Sequence, residues 1–164
     1  MHQLVSHTTP FRVRRVAAMV AALASLGALA LSATVRADDQ DTIDYREHVM
    51  KTMAAQVGAI ELIVQNKVPP EDSSNLATHL KILALTASTA KAAFKDNVAG
   101  GEAKPNVWSG GALAADFSKR MDELAANTAA LDKAGGDAAT VAGKLQSVLT
   151  CKGCHDQYRE QKKK

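Results

Sequence analysis

From residue 41 onward, apolar residues recur at steps of three and four, and no stretch alternates with the period of two that marks a strand. Four helices follow from this pattern. The first spans about 41–66, with Met50, Met53, Val57, Ile60 and Val64 on one stripe. The prolines and capping residues of "NKVPPEDSS" end it. The second spans about 73–97, with Leu76, Leu80, Leu83, Ala87 and Phe94 inward. The loop "KDNVAGGEAKPNVWSGG" follows, where glycines and Pro105 leave little room for regular structure. The third spans about 109–133, with Leu113, Phe117, Met121, Leu124 and Leu131 inward. "AGGD" ends it, and Asp137 is placed to cap the fourth, about 137–162, with Val141, Leu145 and Val148 inward.

Spacing of this kind suits near-parallel helices packed at shallow angles. The short connections at 67–72 and 134–136 favour antiparallel neighbours. The expected fold is therefore all-α, an antiparallel up-down-up-down four-helix bundle. Its stripes lean on alanine and aromatics are only 4% of the chain, so the bundle looks underfilled and leaves room for a large apolar cofactor.

The N-terminal segment follows another pattern. Arg12, Arg14 and Arg15 precede a long apolar run, which ends in "VRA" before an acidic "DDQD". A basic start, an apolar middle and small residues at the cut are the marks of a secretory signal peptide. Residues 1–37 are read as that leader, residues 38–164 as the mature domain, and the expected location is the periplasm. The rival, an uncleaved anchor, rests on the length of the run, since about 20 apolar residues can span a bilayer. Cleavage also changes the charge. The leader carries four basic residues (Arg12, Arg14, Arg15, Arg36) and no acid, so the whole chain's 20 basic residues become 16 against 17 acidic ones, a net −1 instead of +3. That balance removes the electrostatic case for nucleic-acid binding. No stable membrane association is expected once the leader is gone.

Two cysteines are too few for a disulfide scaffold, and both lie in "LTCKGCHDQYRE". Cys151, Cys154 and His155 form C-x-x-C-H, the attachment signature of c-type haem. On a helix, positions i, i+3 and i+4 share one face. Two thiols one turn apart can then bond the two vinyl groups of one haem, and the next residue can turn its imidazole onto the iron. His155 also falls seven residues after Val148, on the inward stripe of a continuous fourth helix. A redox disulfide is the first rival, but such motifs open a helix in a βαβ setting. A zinc site is the second; it needs four ligands, and would have to recruit His48 or His79 beside His155. The cofactor expected is one covalently bound haem c with its iron.

With these residues in place the chain resembles the class II c-type cytochromes, the cytochrome c-prime family. The likeness runs over nearly all of the mature chain. It is carried by "YREHVM" at 45–50, "AKPNVWS" at 103–109 and "CKGCHDQYR" at 151–159. The resemblance implies one of two kinds of site. In the high-spin kind the iron has five ligands, an apolar residue of the first helix covers the sixth side, and small gases such as nitric oxide bind. In the low-spin kind a methionine at that position ligates the iron and the protein carries electrons. Met50 stands at that position. The resemblance further implies that Arg159 lies beside the axial imidazole and that Lys104 lies near the haem edge. Glu47 stands where the family often has glutamine. Arg46, one turn before Met50, is a candidate for a haem propionate or else a solvated cation. Trp108 and Phe94 are read as core or loop anchors, and His48 and His79 as solvated.

The function expected is one-electron transfer rather than catalytic turnover, with His155 and Met50 as axial ligands and redox proteins as partners. The alternative is a high-spin, five-coordinate member that binds nitric oxide or carbon monoxide. Met50 is preferred over Met53 by counting: it lies nine residues after the start of the first helix and His155 nine before the chain end, each about 14 Å along the bundle at 1.5 Å per residue. A homodimer through the first two helices is allowed by the resemblance.

Overall fold

A computed structural model describes residues 38–98, 100–148 and 150–161, and the leader assigned to residues 1–37 lies outside the described residues. The helices are α1 (Asp39–Val64), the short α2 (Pro70–Ser73), α3 (Leu76–Ala90), α4 (Gly111–Asp132), α5 (Ala138–Val148) and α6 (Cys151–Tyr158). Single 3₁₀ turns occupy Lys91–Phe94 and Pro105–Val107. Asp38 caps α1, its carboxylate accepting the Asp41 N–H at 2.8 Å. Asp137 caps α5 as expected, accepting the Thr140 N–H at 2.9 Å, and those bonds pull its pKa down. No strand occurs among the described residues, only one isolated antiparallel bridge between Ala103 and Arg159.

α1 packs on α3 and α3 on α4, while α5 closes the bundle against α1 and α4. Ile60, Leu76, Leu80, Leu83, Leu131 and Val141 fill the centre. The second helix follows its predicted stripe, but α1 is rotated by about one position. Its buried residues are Ile43, Arg46, Val49, Met53, Ile60 and Ile63, while Met50, Val57 and Val64 pack at the margin. The cause is Arg46: a cation stands within the buried 3-4 row, and a stripe read from apolar residues alone skips it. Leu113, expected inward, is exposed. Thr128 is fully buried instead, its hydroxyl satisfied by the carbonyls of Leu124 and Ala125.

The fourth predicted helix is two. α5 ends at Val148 and α6 begins at Cys151, with Thr150 at φ −84°, ψ 37° between them. The helix also ends at Tyr158, because Arg159 is extended (φ −114°, ψ 134°) and pairs with Ala103. Two readings change with it. The phase from Val148 to His155 does not run across the break, and the counting that levelled Met50 with His155 assumed a longer last helix.

Candidate haem-attachment site

Separated from α5, α6 takes its position from α4 and from the loop before it. Tyr158 is the anchor. It is buried, its ring meets Phe117 edge-on at 5.2 Å, and its hydroxyl donates to the Leu113 carbonyl (2.9 Å) and the Asp116 carboxylate (2.7 Å). Burial and the Asp116 charge push its pKa up to about 12. Asp116 also accepts from Arg120 Nε at 2.6 Å, and the Arg120 and Tyr158 bonds hold its carboxyl below the usual range. Phe117 in turn packs edge-on against Phe94 at 5.2 Å, and Phe94 lies 6.5 Å from Trp108. One aromatic row thus links the loop, α4 and α6. Trp108 is a loop anchor as expected, its Nε1–H donating to the Phe94 carbonyl at 2.8 Å.

Within α6, Cys151, Cys154 and His155 occupy one face at i, i+3 and i+4. Both thiols are unpaired; Cys151 is exposed, and Cys154 is half-buried against the core. Burial raises both thiol pKa values, so the sulfurs are protonated at neutral pH. His155 is half-buried, and desolvation followed by the Arg159 charge lowers its pKa. The imidazole is therefore neutral and keeps a lone pair for a metal. Two unpaired thiols and a neutral imidazole on one helical face are the donor set that thioether attachment and iron ligation require, so the residues present fit a haem.

The zinc alternative loses its other ligands. His48 is exposed and bonds back to the Asp44 carbonyl, and His79 bonds Gln56 between α1 and α3 at 2.8 Å. Among the described residues no three or more His, Cys, Asp or Glu side chains converge on one point.

The other predicted residues fall in two groups. Lys104 and Arg159 lie at the C-terminal end of α6. Lys104 Nζ donates to the Asp156 carbonyl at 3.0 Å, and Arg159 Nε donates to Glu102 at 2.7 Å. Arg46 and Glu47 lie on α1. Glu47 pairs with Lys51 at 2.9 Å on the surface. Arg46 is 4% exposed, which excludes the solvated-cation alternative to its reading as a propionate partner. Its Nε, Nη2 and Nη1 donate to the carbonyls of Ala93 (2.9 Å), Asp96 (2.7 Å) and Val98 (3.1 Å). Its guanidinium carbon lies 4.7 Å from the Trp108 ring centre and 5.7 Å from that of Phe94. Met50 is half-buried at the margin of the core, with Met53 buried on the same helix. Sequence reasoning missed Asp116, Arg120, Glu102 and Asn106. The first two read as an ordinary i, i+4 surface pair, and the others lie in a stretch whose contacts are with residues more than fifty positions away.

A helical bundle whose last helix presents two thiols and an imidazole on one face defines a c-type haem protein. The family profile described as Cytochrome C' matches residues 41–159. The cytochrome c' of Rubrivivax gelatinosus is 33% identical over 126 residues, covering 73% of this chain and 95% of that protein. Among solved structures, the nitrosyl complex of a variant cytochrome c prime from Alcaligenes xylosoxidans superposes with a TM-score of 0.67 at 27% identity, covering 76% of this chain and 98% of that one. A carbon monoxide-bound variant from the same organism gives 0.64 at 28%, with the same coverage. The chain belongs to the cytochrome c' family, whose members carry one covalently bound haem c.

Proposed function

We propose that the protein is an exported periplasmic haem c protein of the high-spin kind, which binds a diatomic gas such as nitric oxide or carbon monoxide and turns over no substrate. Haem c, when bound, supplies an iron that takes up a gas molecule or exchanges one electron. Cys151 and Cys154 would hold it through thioethers, His155 would give the iron a protein nitrogen, and Met50 would shield the ring. The observation that carries this reading is that variants of the Alcaligenes xylosoxidans cytochrome c prime, a family member of the same fold, form nitrosyl and carbon monoxide complexes.

The position of Met50 supports its role as a cover. A half-buried side chain at the edge of the core can swing toward a ring or away from it, whereas Met53 is packed inside. That same freedom supports the second reading, in which the Met50 thioether ligates the iron and the protein carries electrons to redox partners. A histidine–methionine pair would then raise the haem potential.

Spectra of the purified protein in both oxidation states separate the two. The expected result is a high-spin ferrous haem that binds carbon monoxide, with Met50→Leu remaining high-spin. A low-spin, gas-inert wild type that becomes high-spin on Met50→Leu would establish the electron carrier instead.

A further inference from the structure

The eight residues of α6 make two turns, and isolated helices shorter than about 12–15 residues are marginal in water. The helix also has no side-chain cap at Thr150. What holds it is visible at its other end. The last four carbonyls of a helix lack partners within it, and here each has one. The His155 carbonyl accepts the Arg159 N–H at 3.0 Å. The other three are taken by two residues of the loop between α3 and α4: Asp156 by Lys104 Nζ (3.0 Å), Gln157 by Asn106 Nδ2 (3.1 Å) and Tyr158 by the Lys104 backbone N–H (2.9 Å). Beyond the helix the Glu160 N–H donates to the Glu102 carbonyl at 2.7 Å, and Arg159 pairs with the Glu102 carboxylate.

Local sequence sets this arrangement. Lys104 precedes a proline and is extended (φ −71°, ψ 149°), as residues before proline prefer to be, which lays it beside the outgoing chain. Pro105 then starts the 3₁₀ turn that carries Asn106. The Asn106 amide orientation follows from its partner, because only the NH₂ end can face a carbonyl. The Lys104 ammonium, moreover, is a cation at the negative end of the helix.

We infer that Lys104 and Asn106 are positioning residues for the axial histidine: they grip the haem-bearing helix by its C-terminal carbonyls, and so set the pose of His155 one turn earlier. The inference rests on the reading that His155 ligates the iron.

The test uses the haem-loaded protein and the variants Asn106→Asp, which keeps the shape and removes the donor, and Lys104→Met, which keeps the backbone bond. Two readouts are taken, the reduction potential and amide hydrogen exchange. In both variants the α6 amides exchange about fivefold faster per lost hydrogen bond, the potential moves, and the α1 and α3 amides keep their wild-type rates. Lys104→Arg restores both readouts. Gln56→Ala serves as a control for mere destabilisation: it removes the α1–α3 bond to His79, speeds exchange there and leaves the potential in place. A residue whose variant leaves both the potential and α6 exchange at wild-type values has no positioning role. His155→Ala separates the premises: an unchanged haem spectrum overturns the axial assignment itself, whereas a changed spectrum beside inert strap variants overturns the strap alone.

Discussion

Arg46 shows how one side chain joins elements that are distant in sequence. A guanidinium carries five N–H donors in a rigid plane, and three carbonyls of residues 93–98 use that plane while an aromatic face covers it. Burial lowers its pKa and the Asp96 charge opposes the shift. Arg46→Ala leaves these carbonyls without their donor and should destabilise the protein by about 3 kcal/mol in urea unfolding. Arg46→Lys should recover only part of this, since an ammonium cannot meet three divergent acceptors. A loss of less than about 1 kcal/mol would mean that the loop does not depend on the clamp. Asp116 gives a pH signature. Its folded pKa lies below the unfolded value, so its contribution is present above the unfolded value of about 3.9 and is lost as pH falls through the folded one. Asp116→Asn should flatten the fall in stability below about pH 4, measured as urea midpoints against pH. Equal slopes for variant and wild type would remove Asp116 from the acid limb.

Among the elements, the loop between α3 and α4 touches three helices. Its Gly101 has φ +64°, and a Cβ there would lie 2.7 Å from Ile43 Cγ2 on α1. Glycine is needed twice over, for its dihedral and for the closeness of the helix. Gly101→Ala should cost about 2 kcal/mol, read as a lowered thermal midpoint. In an Ile43→Ala background the clash disappears, and the same substitution should cost only the backbone strain of about 1 kcal/mol. Additive effects in the double variant would show that the two residues do not meet. The loop holds α1 through this contact and Arg46, α4 through Trp108 and Phe94, and α6 through residues 102–106.

For the whole molecule, family membership and surface chemistry bear on assembly. Tyr45, Leu62, Ile82 and Leu85 are exposed on α1 and α3, and Leu85 is 60% exposed. These are the two helices through which the homodimer allowed by the resemblance would pack. Sedimentation should give a dimer whose dissociation constant rises on Leu85→Lys, because a buried ammonium without a partner opposes association. A monomer at all concentrations would leave that face as ordinary surface. Gas binding by the haem should be unaffected by the substitution.

The amino-acid order was enough for the all-helical class, the cap at Asp137, the core row of the second helix, and the haem motif, whereas the cap at Asp38 came only with the structure. Each of the legible features depends on residues within about one or two turns of one another, and local spacing and capping chemistry decide such features. The bundle and the family followed from the same local signals. Other features came only with the tertiary structure. The register of α1 turned on Arg46, whose burial is tolerable only because three carbonyls and an indole from another segment meet it. The end of α6 at Tyr158 turned on partners in residues 102–106 and on Asp116, contacts spanning some forty to fifty positions. A helix two turns long has too few internal bonds to set its own ends, so its neighbours in space set them.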